Sequence, residues 1–211
     1  GHYTEIANTL HFVYFKILNP ILYQEERKQR VLKIPEMMGL SFNNFTALDL
    51  AFDTQTNITT LIKKMMRNKD VTTIFNGKAV TDRKDILQGI TFQYSTTLNR
   101  LQYPSITLKQ KKAINNKNEG IIVQAYDKKT EIEHSSEKQY ILEHYGNPKR
   151  LFRLEVRLRY RELKDFFATH NIIPTPDVLQ DVGLLEELFI YHLSAVIRFS
   201  HGRKKIQWKN L

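Results

Sequence analysis

Residues 150–159 read RLFRLEVRLR, and from Phe152 onward apolar and charged side chains alternate strictly. A repeat of two residues is the repeat of a β-strand, because successive side chains point to opposite faces of a sheet. The apolar face carries Phe152, Leu154, Val156 and Leu158, and the charged face carries Arg153, Glu155, Arg157 and Arg159. Such a strand is typical of an antiparallel sheet that buries one side and leaves the other polar.

The stretch FTALDLAFD at residues 45–53 alternates in the same way and predicts a second strand. It places Asp49 and Asp53 on one face, where buried carboxylates would be costly unless a cation accompanies them. If both strands share a sheet, Glu155 joins them, and the three carboxylates suit a hard ion such as Mg²⁺ or Mn²⁺. The other interpretation is a ladder of salt bridges on an exposed sheet face, and the residues alone favour that ladder.

The rest of the chain adds both strands and helices. Asn76-Gly77 predicts a tight hairpin, and further strands are expected at residues 90–96, 105–112 and 121–128. Helical spacing appears at residues 56–69, 135–146, 161–171 and 175–200, the last with a break at Gly183. We therefore predict an α+β fold, with a largely antiparallel central sheet, helices packed on one face and a helical C-terminal part. Residues 1–170 are expected to form the α+β domain, and residues 171–211 a basic helical segment packed on it.

The charge of the chain indicates an anionic partner. The net charge is +10 and the pI is about 9.6, a balance that favours nucleic acid over a merely solvated basic surface. The absence of cysteine excludes disulfides and thiol nucleophiles and fits a cytoplasmic location. The sequence has no phosphate-binding P-loop and no dinucleotide-binding glycine motif, and neither a membrane-spanning run nor a signal peptide is expected.

The stretch IIVQAYDKKTEIEH at residues 121–134 places a tyrosine where a predicted strand meets a charged cluster. Gln124, Tyr126 and Lys128 would share one face of that strand. A tyrosine can act as a nucleophile if a nearby lysine or metal lowers its pKa from about 10. The chain has 10 tyrosines, so from this residue alone a packing role is favoured.

Taken in order, the stretches ALDLAFD, VQAYDKKTEIEH and RLFRLEVRLRYRELKDFF resemble the rolling-circle replication initiation factors of plasmids and phages (the Rep_trans family). The resemblance covers roughly residues 45–167. It implies a fold like that of the HUH endonucleases. It also implies a metal-dependent, site-specific DNA endonuclease and strand transferase that nicks origin DNA through a covalent phosphotyrosine and later rejoins it. Ala47 and Gln124 stand where basic residues are common in that family.

The resemblance also implies roles for individual residues. Tyr126 matches the family's nucleophilic tyrosine and Lys128 the lysine that follows it, with Tyr140, Tyr145 and Tyr160 as alternative nucleophiles. Asp49, Asp53 and Glu155 would hold the Mg²⁺ or Mn²⁺ ion. The expected DNA-binding residues are Arg153, Arg157, Arg159, Lys129, Arg203, Lys204 and Lys205.

The partners considered are plasmid or phage origin DNA with a hairpin or single-stranded nick site, a host helicase and a second copy of the chain, with no membrane. Three alternatives stay open beside the enzyme, and one of them is a basic protein whose partner is another protein. A non-catalytic replication initiator or regulator would use the same basic surface to bind DNA, and the substitutions at Ala47 and Gln124 favour it. A mobilisation relaxase shares the chemistry, but it usually carries a recognisable histidine cluster, which this sequence lacks.

Overall fold

The computed structural model describes residues 3–6, 10–80, 90–96, 102–110, 113 and 120–208. The chain divides into two compact units, Gly1–Phe42 and Asn43–Leu211. The division expected at residue 170 therefore falls inside the second unit, which contains the sheet and the C-terminal segment together. No helix in the described ranges is long and apolar enough to cross a membrane.

The first unit combines a strand pair with two helices. Its elements are β1 (Tyr3–Ile6), β2 (Leu10–Val13), α1 (Asn19–Leu22) and α2 (Glu25–Met37). The charged stretch at residues 24–30 lies largely in α2, which buries none of its residues. Pro35 lies in the last turn of α2, where it has no N–H to donate to the carbonyl four residues earlier.

The centre of the second unit is a five-stranded antiparallel sheet with the order β3-β9-β8-β7-β6. Its strands are β3 (Ala47–Thr54), β6 (Ile90–Thr96), β7 (Gln102–Lys109), β8 (Ile122–Asp127) and β9 (Phe152–Arg159). The two alternating stretches of the sequence, β3 and β9, are paired directly along their whole length. The predicted antiparallel α+β architecture is thus confirmed.

A second, four-stranded antiparallel sheet has the order β11-β10-β4-β5. Its strands are β4 (Thr72–Phe75), β5 (Lys78–Ala79), β10 (Ile197–His201) and β11 (Lys204–Ile206). Asn76 and Gly77 form the tight turn of the β4–β5 hairpin with φ of 50° and 80°, as the sequence predicts.

The described part of the second unit also contains helices. They are α3 (Ile58–Arg67), α4 (Lys128–Glu131), α5 (Gln139–His144), α6 (Tyr160–Thr169) and α7 (Val182–Val196), with a π-helical turn at Ile132–Ser136 and a 3₁₀ turn at Pro176–Leu179. Buried side chains of α3, α6 and α7 join those of the strands in one hydrophobic core. The core therefore lies on one side of the sheet and leaves the other side to polar residues.

Three local predictions are corrected. The C-terminal part is not wholly helical, because α7 passes directly into β10, which pairs with β4. The break expected at Gly183 lies just before it, where the Asp181 side chain accepts a hydrogen bond from the Leu184 N–H at 2.9 Å and caps α7. The helix expected over residues 135–146 is shorter, because α5 covers only Gln139–His144 and Ser135 and Ser136 belong to the π-helical turn before it.

Candidate functional site

The polar face of the central sheet brings three predicted site strands into register. Across β3, β9 and β8, Arg153 lies between Asp53 and Tyr126. Glu155 lies between Ala51 and Gln124 in the next row. Directly opposed residues of an antiparallel pair project to the same face. The three stretches therefore share one face of one sheet, and Tyr126, Asp53 and Glu155 are brought together there.

Tyr126 is tied to Glu155. The Tyr126 hydroxyl donates a hydrogen bond of 3.2 Å to Glu155 Oε2, and the other carboxylate oxygen accepts one of 2.6 Å from Arg157 Nε. The Arg157 side chain is 38% exposed, whereas that of Glu155 is 10% exposed. The arrangement is a phenol, a nearly buried carboxylate and an arginine that reaches solvent.

A buried ion pair lies beside this group. Arg153 donates from Nε to Asp53 Oδ1 at 2.7 Å and from Nη2 to Asp53 Oδ2 at 2.6 Å. The two side chains are only 5% and 2% exposed. Bidentate geometry satisfies both charges in a place where either alone would be costly. Arg153, expected to contact DNA, is instead committed to Asp53 and is not exposed to a phosphate.

The local environment opposes ionisation of the Tyr126 phenol. Burial raises the pKa of Tyr126 well above its ordinary value, and the negative charge of Glu155 raises it further, although Arg153 acts in the opposite direction. The lowered pKa that the sequence argument required is not what this environment produces. The phenol therefore holds its proton at neutral pH.

Lys128 differs from its predicted placement. β8 ends at Asp127, whose side chain caps α4 by accepting from the Thr130 N–H at 3.0 Å, so Lys128 begins a helix and does not continue the strand. Lys128 Nζ forms a 2.5 Å ion pair with Glu131 and lies 5.7 Å from the centroid of the Tyr126 ring. Burial lowers the pKa of Lys128, and the hydrogen bond to Glu131 opposes that shift. Its contact with Tyr126 is through the ring and not through the hydroxyl.

The predicted metal ligands do not form a cage in this arrangement. Asp53 uses both oxygens on Arg153, Glu155 is held by Arg157 and Tyr126, and Asp49 is exposed opposite Arg157. No cluster of three or more acidic, histidine or cysteine side chains in the described ranges could hold a metal ion. Carboxylates already neutralised by arginines are poor ligands for a divalent ion. The residues, as folded, do not fit the metal that the resemblance implies.

The remaining predicted basic residues lie in two places. Arg159 ends β9 and is partly exposed, and Lys129 donates a 3.1 Å hydrogen bond to the Pro148 carbonyl. Arg203 lies in the turn of the β10–β11 hairpin, and Lys204 and Lys205 are exposed on β11. The hairpin cations thus belong to the second sheet and not to the polar face that carries Tyr126.

The alternative tyrosines lie in or beside helices and not on the strands that form the polar face. Tyr145 and Tyr160 are 42% and 44% exposed at helix ends. Tyr140 lies in α5, where burial raises its pKa. None of the three occupies a strand position beside Glu155, as Tyr126 does.

The structure also contains a cleft that the sequence did not suggest. Its walls come from the segment before β3, from α6 and from the segment after α6, and its volume is about 280 Å³. The lining residues are Asn43, Asn44, Phe45, Tyr160, Leu163, Lys164, Phe167, Ala168, Ile172 and Pro174. The alternation and the helical spacing of the sequence predict the strands and helices. The cleft depends on how Phe45 packs against α6, and no local sequence pattern predicts that packing.

No protein-family model matches the chain, and no curated protein matches it significantly. Among solved structures, the chain is similar to a rolling circle replication initiator protein from Geobacillus stearothermophilus, with 18% sequence identity and a TM-score of 0.44. The similarity covers 84% of this chain and 51% of that chain. The chain thus spans about half the length of that protein.

Proposed function

We propose that this chain initiates rolling-circle DNA replication by nicking and rejoining origin DNA through Tyr126. The observation that carries the proposal is the 3.2 Å hydrogen bond from the Tyr126 hydroxyl to Glu155 on the polar face of the sheet. It supplies a nucleophile and a proton acceptor in contact, the pairing that activates a hydroxyl for attack. The net charge of +10 supports a polyanionic substrate.

In the proposed nicking step, the Tyr126 oxygen attacks the phosphorus of one phosphodiester. The O–P bond to Tyr126 forms as the bond from phosphorus to the 3′ oxygen breaks. Glu155 Oε2 takes the phenolic proton, and the departing 3′ oxygen takes a proton from water to become a free 3′-hydroxyl. The 5′-phosphotyrosine retains the phosphodiester energy, so rejoining is the reverse reaction and consumes no ATP.

Arg157 is suited to hold the phosphate. Its Nε is used by Glu155, but its side chain is 38% exposed, and a guanidinium has further N–H donors that can bind phosphate oxygens. Positive charge at this point would stabilise the charge that builds up on the phosphate during attack. Burial and the neighbouring Glu155 keep the attacking phenol protonated until a phosphate is bound.

The divalent ion implied by the resemblance stays a prediction, and the proposed step does not pass through it. If Mg²⁺ or Mn²⁺ is needed, EDTA will abolish adduct formation, and adding the ion back will restore it. If Tyr126, Glu155 and Arg157 suffice, adduct formation will survive EDTA. The same assay therefore separates the two cases.

The decisive experiment incubates the protein with end-labelled single-stranded DNA and with plasmid carrying its origin, and follows covalent protein–DNA adducts on denaturing gels. Tyr126→Phe should abolish the adduct, because it removes the attacking oxygen while keeping the ring. Tyr145→Phe and Tyr160→Phe are the matched controls and should retain it. An adduct that survives Tyr126→Phe would refute the assignment of the nucleophile.

A non-catalytic DNA-binding initiator or regulator is the second candidate. The raised pKa of Tyr126, caused by burial and by Glu155, favours it, because a phenol held in its neutral form is a weak nucleophile. Under this candidate, wild-type protein binds origin DNA in a salt-dependent manner but forms no adduct with or without metal. That combination of results would replace the first proposal with the second.

A further inference from the structure

The cleft beside α6 has the composition of a site for a planar ring. The Phe45 and Phe167 ring centroids are 6.3 Å apart, and Leu163 lines the cleft as a buried aliphatic residue. Tyr160, 44% exposed, lines it with the exposed Lys164, whose Nζ lies 5.9 Å from the centroid of the Tyr160 ring. Exposed aromatic side chains of this kind stack on flat heteroaromatic groups.

The polar lining selects the kind of ring. Asn43 and Asn44 contribute side-chain amides, which both donate and accept hydrogen bonds. Lys164 contributes a cation, and no carboxylate is among the lining residues. Side-chain amides can form hydrogen bonds with the polar edges of a nucleobase. A lysine with no carboxylate among the other lining residues can bind the phosphate of the same nucleotide. The volume of about 280 Å³ is at the small end for ligand sites, so it fits one base and not a stack of bases.

The position of the cleft connects it to the polar face. Tyr160 follows Arg159 directly, and Arg159 pairs with Ala47 at the end of the β3–β9 ladder, two residues after Phe45. Glu155 lies four residues earlier on β9, about 13 Å away at the usual rise of a strand. A single DNA strand held at Tyr126 and Arg157 could therefore reach the cleft within a few nucleotides.

We propose that this cleft captures one unpaired base of single-stranded DNA, stacked on Tyr160, with Lys164 at its phosphate. The inference rests on the proposed function, since it places the base on the strand that Tyr126 would cleave. It assigns the cleft a role in holding the unwound strand, separate from the reaction at Tyr126.

The test uses two fluorescently labelled single-stranded probes of about 12 nucleotides, a length within the usual range for such sites. One is oligothymidine and the other is an abasic oligomer of the same length. Wild-type protein should prefer oligothymidine in an anisotropy titration. Tyr160→Ala should weaken oligothymidine binding about 5- to 150-fold, the range of one lost base–aromatic stack, and should change abasic binding little.

Three variants control the result. Tyr160→Phe keeps the ring and should keep the preference for oligothymidine. Tyr145→Ala removes a tyrosine of similar exposure, 42%, outside the cleft and should also keep it. Lys164→Gln should weaken both probes equally, because the charge acts on phosphate and not on the base. Thermal melting of each variant verifies that it is folded.

Equal affinity of the wild type for both probes, or a preference that survives Tyr160→Ala, overturns the inference. If the Tyr126 adduct still forms in that case, the proposed function stands and only the base site fails. If wild-type protein binds neither probe, both proposals fail, and the cleft is left to a partner that is not nucleic acid.

Discussion

At the scale of single residues, the polar face is built from charges that neutralise one another. Asp53 and Arg153 form a buried bidentate pair, and Glu155 is shared by Arg157 and Tyr126. The alternation in the sequence anticipates all of these positions. It could not decide between a metal and a salt-bridge ladder, because the choice depends on which side chains meet across strands.

Breaking the Asp53–Arg153 pair should destabilise the fold strongly. Asp53→Asn leaves a buried guanidinium without its counter-charge, and we expect a loss of about 3–5 kcal/mol in the free energy of unfolding. Urea denaturation of the wild type and the variant measures this loss.

Asp49→Asn is the matched control for that experiment, because it makes the same change four residues away on the same face of β3. Asp49 is exposed, so the expected loss is at most about 1 kcal/mol. Equal losses in the two variants would contradict the role given to the buried pair.

The raised pKa of Tyr126 predicts a pH dependence of stability. Burial first, and Glu155 second, keep the folded-state phenol protonated at pH values where the unfolded chain has lost that proton. Its contribution to stability is therefore complete below pH of about 10 and is lost as the pH rises above that value.

Denaturant titrations at a series of alkaline pH values can measure this contribution. The free energy of unfolding of the wild type should fall more steeply above pH of about 10 than that of Tyr126→Phe, which has no phenolic proton. Tyr145→Phe should follow the wild type. Parallel curves for the wild type and Tyr126→Phe would show that the Tyr126 environment does not perturb its ionisation.

At the scale of elements, strands with strict alternation were predictable and segments with mixed signals were not. β3 and β9 follow directly from their period of two. Residues 197–201 look like a continuation of α7, yet they form β10, because β4 offers a strand edge and the pairing buries Ile197 and Phe199. Tertiary pairing overrides local propensity there.

The N-terminus of α3 provides a test at this scale. Asn57 Oδ1 accepts from the Thr60 N–H at 3.0 Å and from the Thr59 hydroxyl at 2.7 Å, as a capping residue does. Asn57→Ala should cost about 0.5–2 kcal/mol in the free energy of unfolding, whereas Asn57→Asp should keep most of the stability. If the two variants lose the same amount, capping is not what Asn57 contributes.

At the scale of the whole molecule, the excess of basic residues governs how the chain would meet DNA. The chain has 32 Lys and Arg against 22 Asp and Glu. Near Tyr126, Arg153 and Arg157 form ion pairs with Asp53 and Glu155, which neutralise part of the local positive charge. The exposed cations of the β10–β11 hairpin are therefore the better candidates for phosphate contacts.

Salt titrations of DNA binding can test that assignment. The logarithm of the association constant should fall linearly with the logarithm of salt concentration, and replacing Lys204 and Lys205 together by Gln should reduce the slope by about 2. Replacing Lys64 and Lys149 by Gln removes two exposed lysines that lie outside the second sheet and should leave the slope nearly unchanged. If both double variants reduce the slope equally, the protein attracts DNA through its overall charge and not through a defined binding surface.

The sequence by itself determined the alternating strands, which of their faces is apolar, the tight Asn76-Gly77 turn and the basic charge, because these depend on residues close together in the chain. Only the tertiary structure decided that Asp53 pairs with Arg153, 100 residues away, that Tyr126 donates to Glu155, and that Phe45 and Tyr160 line one cleft. Strand order and register create those contacts, and a one-dimensional pattern fixes which way a side chain faces but not which partner lies opposite it.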